Sequence, residues 1–369
     1  MKYYYFGTYG CESFDPTASS VAGQIAQEGL VRNWPESFEK IYCYVPNRIF
    51  PFSKKLLQLQ RNSQSITSLF YLNIPFLKYF SLFISTLLKS LMIKENDKVI
   101  IYNCYYPPLL AVCLARKIKK FKVVPVLYDI HIPGETVRNS FFERLQYNLI
   151  KNLVPKCDSV VSINRKVIED FCPKLPHLIV HGGVNNLFAP TAIKAGRIKV
   201  GFAGRLDKDN GILELTKVAK SHCSNFDFFI AGDGAYKELV ESTSEITFLG
   251  SLEHSKCIEF LKSMDVLVCL RLKSEIDTSY FFPSKLYEYL SLGKMVITTD
   301  LPIEGVELSS IALVIDDNSD SLAAGLESIR SNLDTTLLTK AANTYIQDKT
   351  WFNQAQRIYD FLERKDEKI

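Results

Sequence analysis

Short apolar runs recur along the chain, separated by polar stretches in which apolar positions return at helical spacing. In the first half "KYYYFG", "KIYCYV", "KVIIYN", "KVVPVLYD", "SVVSIN" and "HLIVHGG" predict strands. In the second half "IKVGFAG", "FDFFIAG", "ITFLG", "VLVCLR", "MVITTD" and "ALVID" repeat the pattern, with helices predicted to begin near Gly211, Tyr236, Ser255, Ser284 and Ser319. Strands alternating with helices in this way indicate doubly wound α/β domains.

The 369 residues exceed the usual size of one domain, so two domains of roughly 150–200 residues are expected. Their join is placed in "GGVNNLFAPTAIKAGR", a turn-rich, irregular stretch. This gives a first domain over 1–190 and a second over 191–349, followed by a helical run, "WFNQAQRIYDFLE", within 350–364. No internal repeat or low-complexity segment is present, and only the tail "ERKDEKI" has the composition of a disordered end.

Nine cysteines stand singly, without a C-x-x-C pair or a His-rich partner motif, which argues against both a disulfide framework and a zinc site. The expected setting is a reducing cytoplasm. "MKYYYFGTYG" reads as a first strand entering a turn and lacks the features of a signal peptide.

Charge changes the picture. Residues 1–190 hold 23 Lys/Arg against 13 Asp/Glu, and residues 191–369 hold 21 against 27, so a net +4 conceals +10 and −6. A basic half suits an anionic surface, nucleic acid or membrane. The accompanying stretch "LFYLNIPFLKYFSLFISTLLKSLM", Leu69 to Met92, favours lipid over nucleic acid. It is a poor transmembrane span because Lys78 and Lys89 interrupt it, and it reads either as an amphipathic helix with these cations at the polar boundary or as an ordinary buried helix. "RKIKKFK", Arg116 to Lys122, adds a second basic run at a helix end, where the helix dipole alone also favours lysine. The expectation is a cytoplasmic protein, peripheral on the inner face of the plasma membrane.

Glycine-containing turns between strand and helix converge backbone N–H groups on one point, where phosphate is the usual guest. "FAGRLDKDNG", "IAGDGAYKEL" and "FFPSKLYEYL" supply three such places in the second half. The second is not a dinucleotide fingerprint, because Lys237 stands where the third glycine belongs. "DKD" at Asp207 to Asp209 has the D-x-D spacing of metal-dependent transferases, but also that of a plain acidic turn.

In this order, "GFAGRLDKDNG", "IAGDG", "ITFLGSLEHSKCIEFLKSMDVLV" and "PSKLYEYLSLGKMVI" resemble the donor-binding half of retaining glycosyltransferases of family 4. The resemblance runs from Ile198 to about Tyr345 and implies an α/β, GT-B fold: two facing Rossmann-like domains with parallel sheets and a C-terminal crossover helix. It also implies an acceptor-binding first domain, a donor-binding second domain, a nucleotide-sugar donor linked to UDP or GDP, and no metal or other cofactor. The acceptor would be a glycan or lipid-linked sugar, as in bacterial envelope, O-antigen or capsular polysaccharide assembly.

Carried across, Arg205 after Gly204 matches the arginine that neutralises the departing diphosphate. Ser284, Lys285 and Leu286 match the helix N-terminus facing that diphosphate, and Glu288 matches the glutamate that accepts the ribose hydroxyls. Gly232 lies in the second phosphate-side turn, and Gly250 and Ser251 lie where the nucleobase approaches. On the acceptor side, His131 in "LYDIHIPGE" is a candidate catalytic residue, and Gly7 and Gly10 bracket a turn that acceptor or sugar would approach.

Three positions depart from the family. Asn210 replaces the usual second cation, and Lys208 or Lys285 would have to supply that charge, the helix-terminal Lys285 being the expected one. Tyr280 stands where the first glutamate of an E-x7-E pair belongs, with Glu275 and Asp277 as substitutes, and Met295 replaces a frequent proline. Asn210 and Tyr280 leave open a sugar-nucleotide-binding protein without transfer activity, and the fold also admits an epimerase acting on the sugar nucleotide.

Overall fold

The computed structural model describes residues 1–10, 21–45, 57–58, 62–63, 65–128, 130, 132–134, 139–193, 196–280, 284–332 and 335–364. The chain divides into two units, Met1–His181 with Trp351–Ile369, and Gly182–Thr350. The division falls ahead of Pro190. Residues just after His181 already pair inside the second unit, where the Val184 amide donates to the Lys349 carbonyl and the Phe188 amide to that of Ser291.

Unit 1 contains β1 (Tyr3–Gly7), α1 (Val21–Arg32), β2 (Lys40–Cys43), the short β3 (Leu57–Gln58) and β4 (Asn62–Ser63), then β5 (Ile66–Ser68), β6 (Tyr71–Leu72) and α2 (Leu77–Ser90). It continues through β7 (Lys98–Tyr102), α3 (Tyr106–Lys119), β8 (Lys122–Leu127), α4 (Phe141–Leu153), β9 (Val160–Ser162), α5 (Arg165–Phe171) and β10 (His177–Ile179). The main sheet runs β10-β9-β8-β7-β1-β2-β5-β4, parallel except at the β4 edge, while β3 and β6 form a separate antiparallel pair. Strand order reverses between β1 and β7. Right-handed crossovers therefore place α2, α3 and α4 on one face of the sheet and α1 on the other.

Helix α12 (Trp351–Glu363) belongs to unit 1 although it follows unit 2 in sequence. Its Trp351 ring lies so close to Gly29 of α1 that a methyl group there would strike it. Lys98, buried in β7, holds the far end of α12 through an ion pair of 2.9 Å to Glu363.

Unit 2 contains β11 (Ile198–Arg205), α6 (Ile212–His222), β12 (Phe226–Asp233), α7 (Lys237–Glu241), β13 (Ile246–Phe248), α8 (His254–Lys262), β14 (Val266–Cys269), α9 (Ser284–Ser291), β15 (Met295–Thr299), β16 (Leu313–Ile315), α10 (Ser319–Ser331) and α11 (Thr336–Gln347). The sheet is wholly parallel, in the order β13-β12-β11-β14-β15-β16. Its core gathers Val200, Phe202, Phe228, Ile230, Val268 and Ile297. The order reverses between β11 and β14, and in open α/β sheets ligands bind outside the carboxyl ends of strands at such a point.

One expectation is corrected in α2. Lys78 does not sit at a polar boundary: it is 1% exposed, with its ammonium 5.3 Å from the centre of the Tyr71 ring. The outward positions of the helix are apolar instead, Phe80 being 66% exposed. Among the described residues no helix is long and apolar enough to cross a membrane.

Candidate functional site

The carboxyl ends of β11, β12 and β13 meet in a step of glycines. Gly204 pairs with Gly232 across the two strands, and the Gly232 amide donates to the Gly250 carbonyl at 2.8 Å. Both Gly204 and Gly232 have φ of +146°, and a Cβ on Gly232 would overlap the Gly204 carbonyl oxygen. Only glycine lets these strand ends approach so closely. Gly232→Ala is therefore expected to lower stability by about 2 kcal/mol or more, seen as a drop in melting temperature of several degrees; an unchanged melting temperature would show that the close approach is dispensable.

Helix α9 is amphipathic over two turns. Leu286, Tyr289 and Leu290 point into the core, while Lys285 and Glu288, three apart, share another face. Tyr289 fixes the helix to β11: its hydroxyl accepts from the Ala203 amide at 2.9 Å and donates to the Ala203 carbonyl at 3.2 Å. Lys285 is thereby set beside the glycine step.

The Lys285 side chain passes over Gly204 so closely that any Cβ there would collide with its ammonium. The ammonium donates to Asn210 Oδ1 at 3.2 Å and stands 4.5 Å from the centre of the Phe202 ring. Burial pushes its pKa down to about 8, helped by Arg271 and opposed by Cys269, Asp209 and Glu288. The position left uncharged by Asn210 is thus reached by a cation from another element. Asn210 itself is buried and precedes Gly211, the left-handed residue that starts α6.

Arg205 leaves the end of β11 with its side chain 77% exposed and its Nε–H donating to Asp207 at 2.6 Å. Burial works to raise the Asp207 carboxyl, but the Ala235 amide and the Arg205 guanidinium outweigh it and hold the carboxyl below its usual range. Asp209 is ion-paired with Arg271, which follows β14. Both acids of "DKD" thus meet an arginine. Among the described residues no three His, Cys, Asp or Glu side chains converge as a metal site would require.

Glu288 is half-buried, and burial raises its pKa against the pull of His254 and Lys285. His254, at the start of α8, places its Nδ1 3.8 Å from a Glu288 carboxylate oxygen. Gly250 has a left-handed backbone with open space above it, and Ser251 is exposed beside it. Ser284 is exposed at the first position of α9, and the Leu286 side chain is core. Tyr280 ends a 3-10 turn, Thr278–Tyr280. Neither proposed substitute for the missing glutamate is uncommitted, since Glu275 pairs with Lys208 at 2.9 Å and Asp277 accepts from the Ser279 amide at 2.8 Å.

The sequence reading passed over Arg271 and His254. Arg271 follows a strand whose place beside β11 emerges only from the sheet topology, and His254 lies in "GSLEHSKC", with nothing local to single it out.

In unit 1, Gly7 faces Tyr5 and the buried Gln27: an added Cβ would lie 2.6 Å from the Tyr5 ring and 2.7 Å from Gln27 Oε1. Gln27 also accepts from the Thr8 amide at 2.9 Å, so it shapes the turn after β1. Gly10 has φ of +80° against Ile66. At the matching end of β7, Asn103 and Cys104 both take positive φ, and Asn103 Oδ1 accepts from the Tyr128 amide at 3.0 Å. Strain of this kind collects at functional turns. His131 lies outside the described residues.

The model of the family described as Glycosyl transferases group 1 matches residues 197–332, within unit 2. The chain is similar in structure to the Anabaena protein HepE solved with UDP, at a TM-score of 0.71 and 15% identity over 99% of this chain and 100% of that one. The fold is GT-B. The GT-B likeness extends to the pneumococcal O-GlcNAc transferase GtfA solved with UDP and GlcNAc, at 0.59 and 15% over 82% of this chain and 66% of that one. It extends also to the α,α-trehalose 6-phosphate synthase of Burkholderia multivorans, at 0.60 and 10% over 99% and 97%. The chain thus spans about two thirds of the length of GtfA but all of HepE. No curated protein matches it by sequence.

Proposed function

We propose that the protein is a glycosyltransferase that moves a sugar from a UDP-linked donor to a glycan or lipid-linked acceptor with retention, in the assembly of an envelope or capsular polysaccharide at the cytoplasmic face of the membrane. The observation that carries this is Lys285, drawn across Gly204 onto Asn210 at the switch point of the unit 2 sheet. A desolvated ammonium over a glycine step is built to receive a diphosphate. The UDP complexes of GtfA and HepE support the choice of nucleotide.

In this reading the α9 N-terminus, with the amides of Ser284 to Leu286, and the Lys285 ammonium hold the diphosphate. Arg205 swings from Asp207 to the leaving oxygens. As the glycosidic bond breaks, the sugar takes on oxocarbenium character, and these cations stabilise the charge that develops on the departing phosphate. Glu288 accepts the ribose hydroxyls, with the open turn at Gly250 and Ser251 beside the base. The chemistry is assigned to these backbone amides and side chains, without a metal. His131 and the turn from Gly7 to Gly10 are assigned to the acceptor.

The reading of a binding protein without transfer rests on Asn210 and Tyr280, and the Tyr280 position keeps no free carboxylate substitute, Glu275 and Asp277 being committed elsewhere. Lys285 supplies the charge that Asn210 lacks, which favours a working site. Release of UDP from UDP-sugars, measured with and without glycan or lipid-linked acceptors, tests the proposal: acceptor-dependent release is expected. Binding without release would restore the binding protein, and sugar interconversion without an acceptor would indicate an epimerase.

Glu288→Gln is expected to weaken UDP-sugar affinity about fivefold, since an ionised acceptor holds a hydroxyl about twice as strongly as an amide does. The parent affinity should fall as pH drops through the raised pKa of Glu288. Equal calorimetric affinities for the two proteins at pH 7 would remove Glu288 from the site.

A further inference from the structure

We propose that the outer face of helices α2, α3 and α4 is a docking surface for an anionic lipid bilayer. The proposal deepens the membrane part of the functional reading and rests on it, but it is independent of the donor site, which lies in the other unit.

The three helices form one layer over the unit 1 sheet, and each turns apolar residues outward. Helix α2 exposes Phe80, Ile84 and Leu88 at four-residue spacing, one stripe along its length. Helix α3 exposes Leu114 and Ile118 at the same spacing, Ile118 being 66% exposed. Phe141, 71% exposed, opens α4, and the neighbouring Phe142 stacks on Tyr79 of α2 with ring centres 5.6 Å apart, joining the first and last of the three. Large apolar side chains exposed together on neighbouring helices mark an interaction site.

Charge decides the occupant. Lys117, Lys119 and Lys120 are exposed at the end of α3, and Lys94 is exposed just beyond α2. From Leu77 to Lys120 the acids are Glu95 and Asp97, with Asp97 committed to the Lys2 and Lys94 amides, and α4 adds Glu143 against Arg144 and Lys151. An apolar field with a cationic rim matches acyl chains beneath anionic headgroups. Two copies meeting through this face would set the same rims against each other, since a two-fold contact is isologous; like charge disfavours that pairing.

The test is sedimentation of the full chain with phosphatidylglycerol–phosphatidylcholine vesicles, against pure phosphatidylcholine vesicles, at low and high salt. The parent should enter the anionic pellet at low salt and leave it as salt rises, because exposed cations are screened over about 8 Å at physiological ionic strength. Phe80→Asp should abolish binding with an unchanged melting temperature, because the ring it replaces is already in solvent. Lys117→Glu with Lys119→Glu should weaken binding at least fivefold for each lysine lost. UDP affinity should stay constant in every variant; its loss in the parent alone would count against the donor reading and leave this one intact. Absence of the parent from the anionic pellet at low salt overturns the proposal. A dimer in solution that Phe80→Asp dissociates, or a stoichiometric protein partner captured through the same face without any vesicle binding, overturns it in favour of a protein interface.

Discussion

Lys285→Met is expected to lower turnover about 10²–10³-fold, the usual loss when one preorganised charge at a developing anion is removed. The substitution should also weaken UDP binding, since Lys285 already stands beside the glycine step before the nucleotide arrives. Its pH signature separates this role from a structural one. With a pKa near 8 in the free protein, the ammonium is charged at pH 7 and loses its proton above pH 8. UDP affinity should therefore fall as pH rises through 8, and the variant should lose that dependence. Folding obeys the opposite sign. The folded pKa is depressed, so between pH 8 and the ordinary lysine value the unfolded chain holds the extra proton and stability rises with pH; Lys285→Met should flatten that rise. A variant with parental turnover and an unaltered pH profile would exclude Lys285 from the chemistry.

Arg205→Ala is expected to lower kcat by a similar ~10²–10³-fold, but with little change in donor affinity. The difference follows from position. Arg205 is mostly exposed and held aside by Asp207, so it reaches the diphosphate only after leaving that partner. Its contribution then falls mainly on the transition state, which reduces kcat and kcat/KM together. An effect confined to KM would make Arg205 a ground-state binding residue.

Much of this fold was legible as a pattern. Each apolar run read as a strand lies on a strand of one of the two sheets, because a buried parallel strand needs several apolar residues in succession. Elements without that signature were missed. Helix α11 buries Thr339 and Ala342 and exposes Leu337, so its inward face carries little apolar contrast. The short strand β5, "ITS", offered too few residues to declare a period. Lys78 was misplaced because a lysine in an apolar run reads as a boundary, whereas here the Tyr71 ring covers a buried ammonium.

The site divided along the same line. Gly204, Arg205, Lys285 and Glu288 were readable because they stand in ordered local motifs. Lys285 was expected to supply the charge missing at Asn210 from its place at the start of α9; that its side chain crosses Gly204 to reach Asn210 is a three-dimensional fact. The pairing of Arg271 with Asp209, and of His254 with Glu288, joins segments far apart in the chain and left no local trace.

The most direct test is titration calorimetry of the parent and Lys285→Met proteins with UDP at pH 7. The predicted result is saturable one-to-one binding by the parent, markedly weakened in a variant whose melting temperature is no lower than the parent's. Absence of saturable binding by the parent, or equal binding by a folded Lys285→Met protein, would contradict a diphosphate site built around this lysine.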